Sequence, residues 1–208
     1  MKYQSHLNIM FLLFTVMLFT GCDDDNESPV IQLEATQVTD LNSVSTTNFT
    51  LFSFNENAVI LNADSATTKW DIGFRGTTII LNGGTSGPGQ ASGQIVSGIF
   101  DELKEAPGEG YLTDSADKKA IVGSNGWYTY TGTPAVPNHA ILPIAGKVLV
   151  LKTGDGKYVK VEIISYYQGN PDTTTPAFAD LATRPEPRFY TFRCIYQPDG
   201  SRNLETTK

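Results

Sequence analysis

The chemistry open to this chain is limited by its histidines. There are two, and His6 lies in an apolar leader, which leaves His139 as the only imidazole of the mature protein. One imidazole and two cysteines, Cys22 and Cys194, exclude a four-ligand Cys/His zinc site and any multi-histidine cage built by a single chain. A Ser-His-Asp triad would have to use His139. That residue lies in the loop-like run Pro134-Ala135-Val136-Pro137-Asn138-His139, with no nucleophile-elbow sequence nearby. Just before this loop stands Trp127-Tyr128-Thr129-Tyr130. In a strand, Trp127 and Thr129 face one way and Tyr128 and Tyr130 the other. Packing of both pairs in the core is the simpler reading. The alternative leaves one pair as a stacking surface beside the loop, suited to a flat ligand or a sugar ring.

The remaining candidates point to structure. Asp101, Glu102 and Glu105 fall on a stretch read as a short helix, where acidic residues near the N-terminus are favourable. Asp114 and Asp117 flank a turn, and no calcium-loop spacing is present. Paired-acid glycosidase chemistry leaves no local signature, and nothing points to it. Gly83-Gly84-Thr85-Ser86-Gly87-Pro88-Gly89 lacks the Lys-Ser/Thr of a phosphate loop, and Pro88 removes an amide donor, so it reads as an inter-strand loop. Cys194, in the alternating Phe192-Arg193-Cys194-Ile195-Tyr196, reads as a buried, inert thiol. No nucleophile, metal or cofactor motif emerges, and the chain is not expected to be an enzyme.

The elements that must position these residues are mainly strands. Phe49–Phe54 and Ala58–Leu61 are β-rich runs around the turn Asn55-Glu56-Asn57. Lys69–Arg75 alternates, which predicts Trp70, Ile72 and Phe74 on one face, and Thr77–Asn82 continues as another strand. The clearest hairpin joins Lys147–Lys152 to Lys157–Tyr167 through Gly154-Asp155-Gly156. Its second strand predicts Val159, Val161 and Ile163 facing the core, with Tyr158, Lys160, Glu162 and Ile164 on the opposite face. A closing strand runs from Phe189 to Tyr196, entered through Pro185 and Pro187. One helix is predicted, over Ser97–Glu105, stopped by Pro107. The expected fold is mainly β, an antiparallel two-sheet or curled-sheet domain with few short helices.

The N-terminus carries an address. Lys2, the apolar run Ile9–Phe19, the small pair Thr20-Gly21 and then Cys22 read as a lipoprotein signal cut before Cys22, which then carries acyl chains; the plainer alternative is an ordinary secretory signal with an incidental cysteine. More than one acyl chain is what stable anchoring needs. The acidic Asp23-Asp24-Asp25-Asn26-Glu27 reads either as a solvated tether or as an address, and it resembles the surface-export signal of Bacteroides-group lipoproteins. The expected organisation is residues 1–21 as signal peptide, 22–32 as acidic leash and 33–208 as one β domain. Loss of Lys2 leaves 14 Lys+Arg against 22 Asp+Glu, a formal −8. With no basic cluster anywhere, nucleic acid is excluded as a partner.

Several blocks together resemble the HmuY family of Bacteroidetes haemophore-like surface lipoproteins. They are Lys69–Arg75 with the glycine loop after it, Lys147–Tyr167, and Tyr190–Arg193 with Gln197-Pro198-Asp199-Gly200-Ser201. The resemblance implies an all-β fold and attachment to the outer membrane at the cell surface. It also implies haem capture for iron acquisition, delivery to a TonB-dependent outer-membrane transporter, and homo-oligomers in some members. The founding haemophore holds iron between two loop histidines, and some relatives use two methionines. Here Met1, Met10 and Met17 all fall in the signal. Alignment through Trp127, Pro134 and Pro137 puts one family histidine at about Gly132, and the loop for the other is shortened between Ala120 and Trp127. The resemblance therefore leaves His139 as the strong axial candidate for haem iron, the only metal expected, since one histidine can hold five-coordinate haem. Tyr128 or Tyr130 would add a phenolate. The alternative is a lipid-anchored surface module that has lost the haem site and binds a glycan, a peptide or a partner protein.

Overall fold

The computed structural model describes residues 32–206. The expected signal peptide, Cys22 and all of the expected 22–32 leash except Gln32 lie outside these residues. The first half contributes β1 (Thr36–Asn42), β2 (Thr50–Ser53), β3 (Ala58–Ile60), β4 (Ile72–Arg75), β5 (Thr78–Leu81) and β6 (Ser92–Ser97). The second half contributes β7 (Tyr128–Tyr130), β8 (Ile141–Pro143), β9 (Lys147–Lys152), β10 (Tyr158–Tyr167), the four-residue helix α1 (Pro176–Ala179) and β11 (Pro187–Gln197). They form a five-stranded sheet in the order β1-β11-β10-β9-β6, a four-stranded sheet β3-β2-β4-β5, and the small β7-β8 hairpin. All the strand pairs are antiparallel.

The main core lies between the two large sheets, where Phe52, Ile72 and Phe74 of one meet Leu149, Val161 and Phe192 of the other. Period-two alternation puts Val159, Val161 and Ile163 there, as the sequence pattern requires. The opposite face of the large sheet is not solvated. Val148, Val150 and Ile195 are covered by Leu33, Phe100 and Leu204. Lys160, expected on an outer face, is consequently buried. Its ammonium donates to the carbonyls of Phe100 at 2.7 Å and Leu103 at 2.8 Å. Burial lowers its pKa.

Two further expectations are corrected. The predicted helix over Ser97–Glu105 is absent: Ser97 ends β6 and only Phe100–Glu102 forms a 3-10 turn. Phe100 and Leu103 instead serve as a cap on the outer face of the sheet, with Phe100 fully buried. Trp70 does not share a face with Ile72 and Phe74. It packs with Leu51, Ile60 and Ile80 on the outer side of the smaller sheet, and its indole donates to Ser65 O at 3.0 Å. The reason is that β4 begins only at Ile72, after a bend at Asp71. Asp71 Oδ2 accepts the Phe54 N–H at 2.8 Å.

The glycine loop is structural. Asn82, buried at its root, donates to the carbonyls of Thr67 and Trp70 and accepts the Gly89 N–H at 3.0 Å. A Cβ on Gly87 would lie 2.2 Å from Asn82 Oδ1, so the loop needs glycine there.

Candidate functional site

The β7-β8 hairpin ends in a long loop closed by Thr131, whose N–H donates to Ala140 O at 3.0 Å and whose Oγ1 accepts the Ala140 N–H at 2.9 Å. Gly132, at φ 63°, accepts the His139 N–H through its carbonyl. The position thus serves as the loop's hinge and offers no side chain. His139 itself is held at φ 50°, a left-handed conformation that L-residues seldom adopt. Its exposed imidazole shares a hydrogen bond from Nδ1 with the Tyr130 hydroxyl and, at 2.9 Å, one from Nε2 with Thr133 Oγ1.

The structure therefore brings together two of the three expected ligands and separates the third. Tyr130 and His139 are partners. Tyr128 packs edge-on against Trp127, ring centroids 4.6 Å apart, and lines a different groove with Ile79, Ile121 and Gly123. Trp127 is core, Tyr128 half-buried and Tyr130 exposed. Neither sequence reading of this block holds whole: the hairpin lifts away from the core along its length, so burial fades from Trp127 to Tyr130.

Beside His139 opens a cleft of about 410 Å³. Its floor is the aromatic end of the core. Phe178 of α1 meets Tyr167 at 4.8 Å, Tyr167 meets Tyr166, and Tyr166 meets Tyr190 at 5.3 Å. The Tyr167 hydroxyl also accepts the Ile141 N–H at 3.0 Å, fixing β8 to β10. Burial pushes the Tyr166 hydroxyl up to about 12, opposed by the Arg188 guanidinium beside it. Ile141, Leu181 and Pro187 give apolar wall, and Arg184 and Arg188 give positive charge.

Arg184 holds the site's two loops together. Its Nε donates to Phe178 O at 2.8 Å, while its two Nη atoms donate to His139 O at 3.3 Å and Asn138 O at 2.9 Å. Arg188 is aimed by a bulge. Between the pairs Ser165↔Thr191 and Tyr167↔Pro187 the register shifts, and Arg188 sits in that interval at φ 72°. The Ser43 amide and hydroxyl both donate to its carbonyl, at 2.8 and 3.0 Å.

Residue types alone single out His139 and pass over both arginines. The available signal is the spacing Arg184-Pro185-Glu186-Pro187-Arg188, which reads as a strand entrance until the bulge and the facing loop are known. A second cleft, about 290 Å³, gathers Asp71, Asp155 and Glu56 near Tyr196. Burial raises Asp71 to about 6, its bond to the Phe54 amide opposes that rise, and Asp155 adds to it. Among the described residues, no group of three or more His, Cys, Asp or Glu could hold a metal ion. Cys194 is buried, and burial pushes its thiol up to about 12, leaving no reactive thiolate.

Comparison with known proteins adds a family. The family model for the HmuY protein matches residues 45–179. Among solved structures, the chain is similar to the apo HmuY analogue of Tannerella forsythia, with TM-score 0.52 at 12% identity over 80% of this chain and 96% of that one. It is also similar to a Bacteroides vulgatus protein provisionally described as HmuY-like and haem-binding, with TM-score 0.47 at 14% identity over 80% and 92%. A Bacteroides fragilis protein provisionally described as a lipoprotein gives TM-score 0.46 at 13% identity over 80% and 90%. At these identities the first of these likenesses speaks for the fold alone. No curated protein matches.

Proposed function

The chain belongs to the HmuY family, and on that premise we propose that it is a binding protein that captures haem beside His139. It is held at the outer-membrane surface by acyl chains on Cys22 and passes its cargo to a TonB-dependent transporter. The observation that carries this reading is the pairing of an exposed imidazole with a cleft of about 410 Å³ whose walls are part apolar and part basic. Clefts of that size hold small ligands, and haem joins an apolar body to acid groups and an iron that imidazole binds.

The donor set fits one axial ligand. Tyr130 engages Nδ1 and so can fix the ring and its tautomer, as partners of metal-bound histidines do. Nε2 becomes available when Thr133 turns away. An exposed hydrogen bond contributes about 0.5–1.5 kcal/mol, a small cost against iron ligation. Tyr130 acts here as the orienting group, and Tyr128 takes no part.

Titrating haemin into the purified protein tests the reading. A shifted Soret band that His139→Ala weakens is expected. No shift at micromolar haemin would remove it. The two bonds that already occupy the imidazole favour a second reading, a surface module for a glycan, peptide or partner protein. That reading gains if haemin fails and a glycan array or an outer-membrane pull-down returns a ligand.

A further inference from the structure

The arginines of this chain divide into two groups. Of five, Arg193 pairs with Glu162 and Asp101, and Arg202 pairs with Glu105. Arg75 lies over the Phe49 ring. Arg184 and Arg188 line the same cleft, and neither meets a carboxylate within ion-pair distance among the described residues. This is unexpected on a chain with a formal charge of −7. The carboxylate on the cleft wall, Glu186, is exposed and pairs with neither.

The two guanidinia have different freedom. Arg184 uses four of its five N–H donors on backbone carbonyls, those of Phe178, His139, Asn138 and Ala179. It contributes a fixed positive charge and one free donor. Arg188 has the Tyr166 hydroxyl beside it and bonds to no backbone carbonyl among the described residues, so most of its planar fork is open to a ligand. Its backbone, at φ 72°, is held there by Ser43 through two bonds to its carbonyl. His139, which lines the same cleft, is held at φ 50° with its carbonyl on Arg184. Backbone held in sparsely populated conformations collects at ligand clamps, because the rest of the fold must over-determine it. Two such residues, His139 and Arg188, line one cleft. Arginine's fork matches a carboxylate with two parallel bonds. Apolar wall from Ile141, Leu181 and Pro187 stands beside it.

We infer that this cleft is a carboxylate-recognition site, in which Arg188 grips an acid group of the ligand within the field of Arg184. The ligand class is an organic acid with a rigid apolar body. Its occupant rests on the haem reading, in which the porphyrin propionates are the acid groups. Recognition then works on the acid groups independently of iron. Both arginines fall beyond residue 179, where the family match ends.

The test compares protoporphyrin IX, its dimethyl ester and haemin as probes on the purified protein. Wild type is expected to bind the free acid about tenfold or more tighter than the ester, the scale of a charge-assisted bond pair. Arg188→Gln is expected to erase that difference by weakening the free acid far more than the ester, and Arg188→Lys to keep part of it. Equal affinity for acid and ester in wild type overturns the inference, and that comparison needs no variant to fold. So does an acid preference that survives in Arg188→Gln. Haemin reports on iron separately. A His139-dependent Soret shift with no acid preference sinks only the carboxylate site. An acid preference without that shift sinks only the iron ligand. No binding of any porphyrin sinks both.

Discussion

At His139 the decisive question is competition. The Thr133 hydroxyl occupies Nε2, the nitrogen that iron would take, while Tyr130 holds Nδ1. Thr133→Val removes the competitor at nearly constant shape. Haemin affinity is expected to rise about two- to tenfold, the range of one exposed hydrogen bond. Tyr130→Phe is expected to lower it, because the ring loses its orienting partner. Both are read from Soret titrations of the same preparations. His139 is legible in the sequence because it is the only imidazole after His6. Arg184 and Arg188 are not, since lining a cleft is a property of the bulge at Arg188 and of a facing loop 45 residues away, the distance separating Arg184 from His139. The aromatic block is half legible. Period two gives its faces, but not the lift of the hairpin that buries Trp127 and exposes Tyr130.

Among the elements, those with local turn chemistry can be read and those defined by distant partners cannot. The β9-β10 hairpin announces itself through Gly154-Asp155-Gly156, with Gly156 at φ 82°. The Phe100 segment reads as helix from its spacing, yet its apolar side chains are claimed by the outer face of the large sheet. Asp114, read as a turn residue, is a buried brace. Its carboxylate accepts the Leu81 N–H at 3.0 Å and the Ala120 N–H at 2.8 Å, joining β5 to the segment before β7. Asp114→Ala leaves both amides unpartnered, and a loss of roughly 2–4 kcal/mol in chemical denaturation is expected. Asp71 gives the opposite kind of effect. Its carboxyl titrates at about 6 in the fold against an ordinary 3.8, because burial disfavours the charge. Between those values the folded chain binds the proton more tightly than the unfolded one. This group's contribution to stability is therefore fully present below about pH 4, is lost as pH rises through 6, and is flat above. Asp71→Asn is expected to remove that slope and to stabilise the protein at neutral pH by roughly 1–3 kcal/mol. Denaturation curves of both proteins at about pH 4 and about pH 7.5 check it.

At the largest scale, the described residues form two large antiparallel sheets around a continuous aromatic core, with the β7-β8 hairpin beside them and the larger sheet covered on both faces. Alternation shows that the chain is mainly β. It cannot show the second layer, because Lys160 reads as surface until its ammonium is found capping Phe100 and Leu103. The proposed lipid anchor at Cys22 belongs to this scale too. Cys22→Ser is expected to shift the protein from the outer-membrane fraction to the soluble one, as loss of acyl chains removes the anchor. Fractionation with an antibody to the domain measures it. The claim on which the rest depends is that the cleft beside His139 takes a haem through that imidazole. A crystal structure of the haemin-soaked protein tests it most directly. The porphyrin is expected in the cleft, with its iron on His139 Nε2, Thr133 turned away and a propionate on Arg188. Porphyrin density elsewhere, with His139 still bonded to both Tyr130 and Thr133, would contradict it.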